Sequence, residues 1–154
     1  MSIKPKLIVV VGANGRQGSS VVKSLLESPD RWRIRGITID PNLPLSQVRI
    51  SIEHDERSIL KFILFRAQEL TQLGVDMIQF DINSREECCR VFADAYGVFA
   101  ITNSWEAGDL GEYKQAVNFV EAARKMKVQH FILSLFPETT IFEKIQYDVS
   151  THPL

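Results

Sequence analysis

Residues 7–18 read LIVVVGANGRQG, and this stretch decides the fold of the chain. Its first five residues form an uninterrupted apolar run rich in β-branched side chains, which is typical of a strand buried on both faces of a parallel sheet. Three glycines follow at a spacing of three residues, and apolar side chains then recur at helical spacing from Ser19 to Glu27. A strand, a glycine-rich turn and a helix in this order predict the first part of a βαβ unit.

The rest of the chain repeats the alternation of strand and helix. Four further strands are predicted, over Trp32–Ile39, Val75–Phe80, Gly97–Ile101 and Val128–Phe136. Three further helices are predicted, over residues 60–73, from the N-cap Ser84 to about Ala95, and over Leu110–Lys127. The predicted inner face of the last helix consists of Tyr113, Ala116, Val117, Val120 and Ala123. The pattern predicts an α/β fold, a doubly wound parallel sheet of about five strands (a Rossmann fold), in a single domain over residues 1–154.

Composition and charge limit the classes of function. The formal net charge is −1, so the chain has no basic excess that would attract nucleic acid or an anionic membrane directly. The apolar run before Gly12 is too short for a signal peptide or a membrane span. The two cysteines, Cys88 and Cys89, are adjacent and offer no disulfide framework, and the three histidines lack metal-ligand spacing. We therefore expect a soluble protein of the cytoplasm, or also of the nucleus, with no metal.

The glycine turn has the residues that a phosphate-binding turn requires. Gly12 allows a sharp turn, Gly15 allows the backbone to approach a pyrophosphate, and Gly18 allows the helix to pack closely on the strand. The N–H groups and the dipole at the start of the helix favour an anion. The alternative is a strand-to-helix turn that merely contains three glycines, but the position directly after a buried strand favours a dinucleotide cofactor, NAD or NADP.

Two residues point to different dinucleotides. Asp40 ends the second predicted strand, 22 residues after Gly18, where an acidic residue commonly holds the 2′-hydroxyl of the NAD ribose. Arg16 lies inside the glycine turn and would reach a 2′-phosphate of NADP, unless it is a solvated residue at the start of the helix. The residues leave the choice between NAD and NADP open.

Five segments occur in an order that resembles a known family. They are VVVGANGRQGSSVV, RGITIDPN, GVDMIQFDI, GVFAITN and VQHFILSLFP. Together they are similar to the N-terminal half of NmrA-like proteins, an atypical branch of the short-chain dehydrogenase/reductase superfamily. The resemblance implies an NAD(P) site whose pyrophosphate is wrapped by Gly12, Asn14, Gly15, Arg16, Gln17 and Gly18.

The resemblance also assigns residues to the two ends of the cofactor. Asp81 would lie beside the adenine and Ile82 would flank it, whereas Thr102 and Asn103 would lie by the nicotinamide-side ribose. Taken from the residues alone, Asp81 and Ser84 are equally explained by turn formation and helix capping. Many relatives have an arginine in place of Ile39 that faces the 2′-phosphate, and its absence weakens the case for NADP.

The chain lacks the proton-transfer pair of the wider superfamily, Tyr-x-x-x-Lys. The positions four residues after Tyr96, Tyr113 and Tyr147 hold alanine, valine and threonine. Ser134, at the end of the fifth predicted strand, is interpreted as structural, so no catalytic residue is assigned. The resemblance then implies a redox-cofactor sensor that regulates a protein partner such as a transcription factor. The alternatives are an NAD(P)H-dependent oxidoreductase of the atypical short-chain type, and a truncated fragment without function.

The chain differs in length from members of the family at two places. Residues 48–66 lengthen the connection between the second and third strands, and they read either as an insertion from retained intron sequence or as a lengthened helix. Family members continue for about another domain, which supplies the substrate or partner surface. We therefore expect the Rossmann half to expose some apolar surface.

Overall fold

The computed structural model describes residues 4–38, 67–102 and 104–135, and it describes the side chains of the last range from residue 111 onward. The predictions for Asp40, Asn103, the insertion 48–66 and the tail 141–154 lie outside the described residues.

The described residues form one five-stranded sheet. Its strands are β1 (Lys6–Val11), β2 (Trp32–Thr38), β3 (Asp76–Gln79), β4 (Gly97–Ile101) and β5 (His130–Ser134). Their order across the sheet is β3-β2-β1-β4-β5, and every neighbouring pair is parallel. The predicted doubly wound α/β fold is confirmed. The strand order reverses between β1 and β4, which is where such sheets open a crevice for ligands.

Helices cover the sheet on both faces. They are α1 (Arg16–Leu26), α2 (Arg85–Phe92) and α3 (Ser104–Lys125), and residues 67–72 are also helical. Helix α1 begins earlier than predicted because extended Gly15 serves as its N-cap, so the glycine turn itself becomes the first helical turn. Helix α2 ends before the predicted Ala95 because Ala93 leaves the helical conformation, with ψ at 134°. Helix α3 begins before the predicted Leu110.

The core consists of two layers, one on each face of the sheet, because successive strand residues point to opposite faces. One layer packs β1, β2 and β4 against α2 and α3. Its largest buried side chains are Phe92, Phe119, Ile37, Val9 and Val98. The other layer packs Val10 and Ile34 against Val22 of α1 and against Leu70 and Val75. On β5, at the edge of the described sheet, Ile132 is 46% exposed.

The predicted inner face of α3 is only partly right. Ala116 and Ala123 are buried, but Tyr113, Val117 and Val120 are half-buried. The residues missed on the buried face are Phe119 and Ala122, together with the polar Glu112, Gln115 and Asn118. An apolar pattern cannot identify polar side chains that are buried because they have hydrogen-bond partners inside the protein.

Helix α1 lies unusually close to the end of β1. A Cβ atom added to Gly18 would lie 2.1 Å from the carbonyl oxygen of Gly12 and 2.9 Å from the Cα of Ala13. Both neighbours are backbone atoms, so no side-chain rearrangement would relieve the overlap. The predicted role of Gly18 in close packing of helix on strand is therefore borne out by the geometry.

We expect Gly18→Ala to lower the free energy of unfolding by about 3 kcal/mol, because the backbone of the turn must move to admit the methyl group. The matched control is Gly74→Ala. Gly74 has φ +85° but open space around its Cα, so the cost there is about 1 kcal/mol of backbone strain. Urea unfolding of both variants measures the difference. Helix propensity alone predicts that Gly18→Ala stabilises the chain, and that result would refute the packing role.

The adjacent cysteines differ in environment. Cys88 is fully buried in the core, whereas Cys89 is half-buried. Burial, with smaller contributions from Cys89 and Asp81, raises the pKa of the Cys88 thiol to about 12. The unfolded chain ionises this thiol at its ordinary pKa of about 8.5. Its contribution to stability is therefore complete below that pH and is lost as the pH rises towards 12.

At pH 8, alkylation of Cys88 by iodoacetamide should be at least about a hundredfold slower than that of an exposed cysteine, because the thiolate is the nucleophile. The variants Cys89→Ala and Cys88→Ala isolate the two thiols, and mass spectrometry gives each rate. We expect Cys88 to react only when urea unfolds the chain. Fast labelling of Cys88 under native conditions would show that the core around α2 opens readily.

Candidate functional site

A cleft of about 640 Å³ opens at the carboxyl ends of the strands, on both sides of β1. Strand ends form its floor, through Val11, Ile37, Thr38, Gln79 and Ile101. The glycine turn forms one wall, and the loop between β3 and α2 forms another. The cleft lies where the strand order reverses, which is the ligand position expected for this type of sheet.

The glycine turn is held to the neighbouring strand through its backbone. The amides of Gly12 and Ala13 donate to the carbonyl oxygen of Ile37 at 3.0 and 3.2 Å, and the amide of Gly15 donates to Gly12 at 2.9 Å. Gly12 has φ +69°, a conformation that favours glycine, and a Cβ there would lie 2.8 Å from the side chain of Ile101. The sharp turn predicted for Gly12 is therefore present.

The first turn of α1 presents a positive end to the cleft. Gly15 caps the helix without a side-chain hydrogen bond, and the first turn contains no acidic residue. The N–H groups of a first helical turn lack acceptors within the helix, and the helix dipole places partial positive charge there. The exposed side chain of Arg16 lines the same part of the cleft. This wall is suited to an anionic group such as a pyrophosphate.

The side chain of Asn14 ties the glycine turn to the end of β2. Its amide nitrogen donates to the hydroxyl of Thr38 at 2.7 Å, and both residues are buried. This bond fixes the glycine turn to the end of β2. Thr38 lines the cleft but was missed from the sequence, where the only signal is a hydroxyl residue near the end of the second strand.

The loop after β3 forms the opposite wall. Asp81 accepts a hydrogen bond from the amide of Asn83 at 2.8 Å, and Ser84 caps α2 by accepting from the amide of Glu87. The turn and capping roles considered for Asp81 and Ser84 are therefore present, and Asp81 also lines the cleft together with Ile82.

An ion pair between Glu87 and Arg90 lies beside this wall. Glu87 lines the cleft, and hydrogen bonding to Arg90 lowers the pKa of Glu87 and raises that of Arg90. Arg90 also donates to the carbonyl oxygen of Gln79, at the end of β3. Glu87 and Asp81 thus line the same cleft as the positive end of α1.

A further side of the cleft lies at the end of β4. Thr102 follows β4, lines the cleft and donates its hydroxyl to the carboxylate of Glu112 on α3. Ser134, at the end of β5, donates its hydroxyl to the side-chain oxygen of Gln17 at 3.0 Å. This bond connects the end of β5 with the start of α1.

The cleft brings together most of the predicted cofactor residues. Those that line it are Gly12, Asn14, Gly15, Arg16, Gln17, Gly18, Asp81, Ile82 and Thr102. Asp40 and Asn103 lie outside the described residues. Contact of these residues with a cofactor stays a prediction.

Tyr96 does not line the cleft. It precedes β4, at the amino ends of the strands. The Nζ atom of Lys6 lies 3.8 Å from the centroid of its ring, and the centroid of the Trp32 ring lies 6.4 Å away.

Within residues 4–38, 67–102 and 104–135 there is no group of three histidine, cysteine or acidic side chains that would hold a metal ion. Across the same ranges, no helix combines the length and apolar character needed to cross a membrane.

Comparison with known proteins finds relatives in both sequence and structure. One relative is the NmrA-like family domain-containing oxidoreductase ptmS of Penicillium ochrochloron, which is 31% identical over 134 residues and is matched by 84% of this chain. The structure of NmrA, a negative transcriptional regulator, in complex with NAD superposes with a TM-score of 0.65 at 22% identity over 91% of this chain. The NADPH-dependent quinone oxidoreductase of Escherichia coli superposes with a TM-score of 0.59 at 21% identity over 82%.

The matches cover nearly all of this chain but only part of each relative. The chain spans about a third of their lengths: 34% of the Penicillium protein, 36% of NmrA and 35% of the quinone oxidoreductase. The model of the NmrA-like family matches residues 4–152, which is almost the whole chain. The chain therefore belongs to the NmrA-like family.

Proposed function

We propose that this chain binds NAD(P) in the cleft at the carboxyl ends of its strands. The observation that carries the proposal is the glycine turn, which leads from the buried β1 directly into the unblocked first turn of α1 at the point where the strand order reverses. This geometry offers backbone N–H groups and a positive helix end to a pyrophosphate.

The residues fit an extended dinucleotide with distinct ends. Gly12, Gly15 and Arg16 would hold the pyrophosphate, and Gly18 would keep α1 close enough to do so. Asp81 and Ile82 would lie on the adenine side, with the carboxylate accepting from polar groups and the isoleucine covering an apolar face. Thr102 would lie on the nicotinamide side, with Asn103 beside it. The bound cofactor would supply hydride chemistry, and the chain itself would bind and orient it.

Names of similar proteins support this assignment. NmrA has been solved in complex with NAD and, separately, with NADP, each time with a TM-score of 0.65 to this chain. Both dinucleotides are therefore reasonable ligands for the same fold. In this chain, Asp40 favours NAD and Arg16 favours NADP.

We propose further that the protein acts as a sensor of the redox cofactor and regulates a protein partner such as a transcription factor. The supporting observations are that no tyrosine of the chain has a lysine four residues later and that the hydroxyl of Ser134 donates to the side chain of Gln17. Without a proton-transfer pair the chain would hold the cofactor and turn it over slowly.

The second candidate is an NAD(P)H-dependent oxidoreductase. Its support is that curated relatives, including the Penicillium protein, are named oxidoreductases. In that case the acid–base groups would come from outside the described residues. A third possibility, a fragment without function, predicts no cofactor binding by a folded chain.

Gly15→Trp should weaken dinucleotide binding at least about a hundredfold, because the indole would occupy the position of the pyrophosphate. A Cβ at Gly15 would lie 3.2 Å from the carbonyl oxygen of Gly12, a tight contact that needs a shift of a few tenths of an ångström. Gly15 has φ −78°, which any residue adopts, so we expect the variant to fold. Lys23→Trp, at an exposed position in the last turn of the same helix, is the matched control. Calorimetric titration with NAD(H) and NADP(H) gives the affinities. Equal binding by Gly15→Trp and the parent, or no binding by the folded parent, would refute the proposed site.

A sensor must bind the two redox states of its cofactor with different affinities, since only differential binding shifts a conformational equilibrium. We expect the dissociation constants of the oxidised and reduced forms of the preferred dinucleotide to differ at least about tenfold. Mixing the chain with NADPH and a quinone should give no turnover above that of Gly15→Trp. Equal affinities together with cofactor-dependent turnover would favour the oxidoreductase instead.

A further inference from the structure

Helix α3 contains a polar stripe that is buried, defined here as Glu112, Gln115 and Asn118. The three residues are spaced by three, so they follow one face of the helix. They are only 5%, 1% and 8% exposed. Polar side chains are buried in this way only when the protein offers them hydrogen-bond partners, because an unpaired buried amide is costly. The partners of the stripe therefore indicate what it does.

Two members of the polar stripe bind the loop between β3 and α2. The amide nitrogen of Asn118 donates to the backbone carbonyl of Asn83 at 3.0 Å and lies 3.5 Å from that of Ile82. The amide nitrogen of Gln115 donates to the side-chain oxygen of Asn83 at 3.3 Å. Asn83 is thus held through both its backbone and its side chain.

This loop is a wall of the cleft. Asp81, Ile82 and Asn83 all line the cleft, and strand pairing ends before them, at Gln79. The sheet therefore cannot fix the carbonyl groups of Ile82 and Asn83. Donors from α3 take the place that a neighbouring strand would otherwise fill.

The third member of the polar stripe reaches the other side of the cleft. Glu112 accepts a hydrogen bond from the hydroxyl of Thr102, which follows β4 and lines the cleft. One helix therefore contacts both the loop after β3 and the residue after β4. None of the three stripe residues lines the cleft itself.

We propose that Gln115 and Asn118 are positioning residues, which set the loop of residues 81–83 for the adenine half of the cofactor. The inference rests on the proposed NAD(P) site, whose adenine side includes Asp81 and Ile82. The two amides act through Asn83, and they stabilise the ligand-binding conformation of the loop before the cofactor arrives. Part of the affinity then comes from residues that never touch the ligand.

The experiment compares the parent chain with Asn118→Leu and Gln115→Met, which fill similar volumes but cannot donate hydrogen bonds. Ala122→Gly is the matched control, because Ala122 is buried on the same helix and packs in the apolar core. It should lower Tm comparably without changing the loop. Binding of the preferred dinucleotide and of ADP, which carries the adenosine and the pyrophosphate but no nicotinamide half, is measured by calorimetry. Hydrogen–deuterium exchange of residues 80–85 is measured without ligand.

We expect each amide variant to weaken the dinucleotide and ADP by the same factor, roughly 5- to 20-fold, which is the usual cost of losing one such hydrogen bond. Exchange in residues 80–85 should become faster in both variants. The Ala122→Gly chain should bind as the parent does and exchange in this loop at the parental rate. Adding Asn83→Ala to Gln115→Met should cause little further loss of affinity, since both changes remove the same bond.

The outcomes separate this inference from the proposed function. If the parent binds the dinucleotide and the amide variants bind it equally well, the positioning role is wrong and the cofactor site stands. If the folded parent binds no dinucleotide, the proposed function fails. The exchange measurement then decides the positioning role alone, and unchanged exchange in residues 80–85 would overturn it.

Discussion

The close contact between Gly18 and the backbone of Gly12 is the constraint on which the site depends. A Cβ added at Gly18 would lie only 2.1 Å from the carbonyl oxygen of Gly12, so α1 can lie this close to β1 only with no side chain between their backbones. This contact brings the first turn of α1 to the edge of the sheet, where its positive end faces the cleft. A larger separation would leave the same residues in place but would move the N–H groups away from any anion held at the strand ends.

The features that could be predicted from sequence are those fixed by local chemistry. The run of residues 7–11 predicted β1, because five apolar residues in succession, rich in β-branched side chains, are typical of a strand buried on both faces. The glycines predicted the turn, and Ser84 predicted the N-cap of α2. The predicted ends of the helices were less accurate because each end depends on the backbone conformation of one residue. The left-handed Asp94, with φ 61°, is one such conformation just after the end of α2.

The polar stripe of α3 could not be predicted in the same way. Glu112, Gln115 and Asn118 have the composition of a solvated face, and only tertiary structure shows that Asn83 and Thr102 supply their partners. Thr38 was missed for the same reason, because its role depends on Asn14, 24 residues earlier in the chain. The spacing of three residues was visible in the sequence, but that spacing fits a solvent-facing stripe equally well. Long-range hydrogen bonds thus mark the limit of sequence-based assignment here.

The walls of the cleft differ in both charge and support. The wall made by α1 is positive and is fixed by backbone packing, whereas the loop after β3 bears the carboxylate of Asp81 and is fixed by side-chain amides. Backbone packing tolerates little movement, while a loop held by a few hydrogen bonds can shift at modest cost. A ligand that spans both walls would therefore be anchored at its anionic centre and would be adjusted at its adenine end.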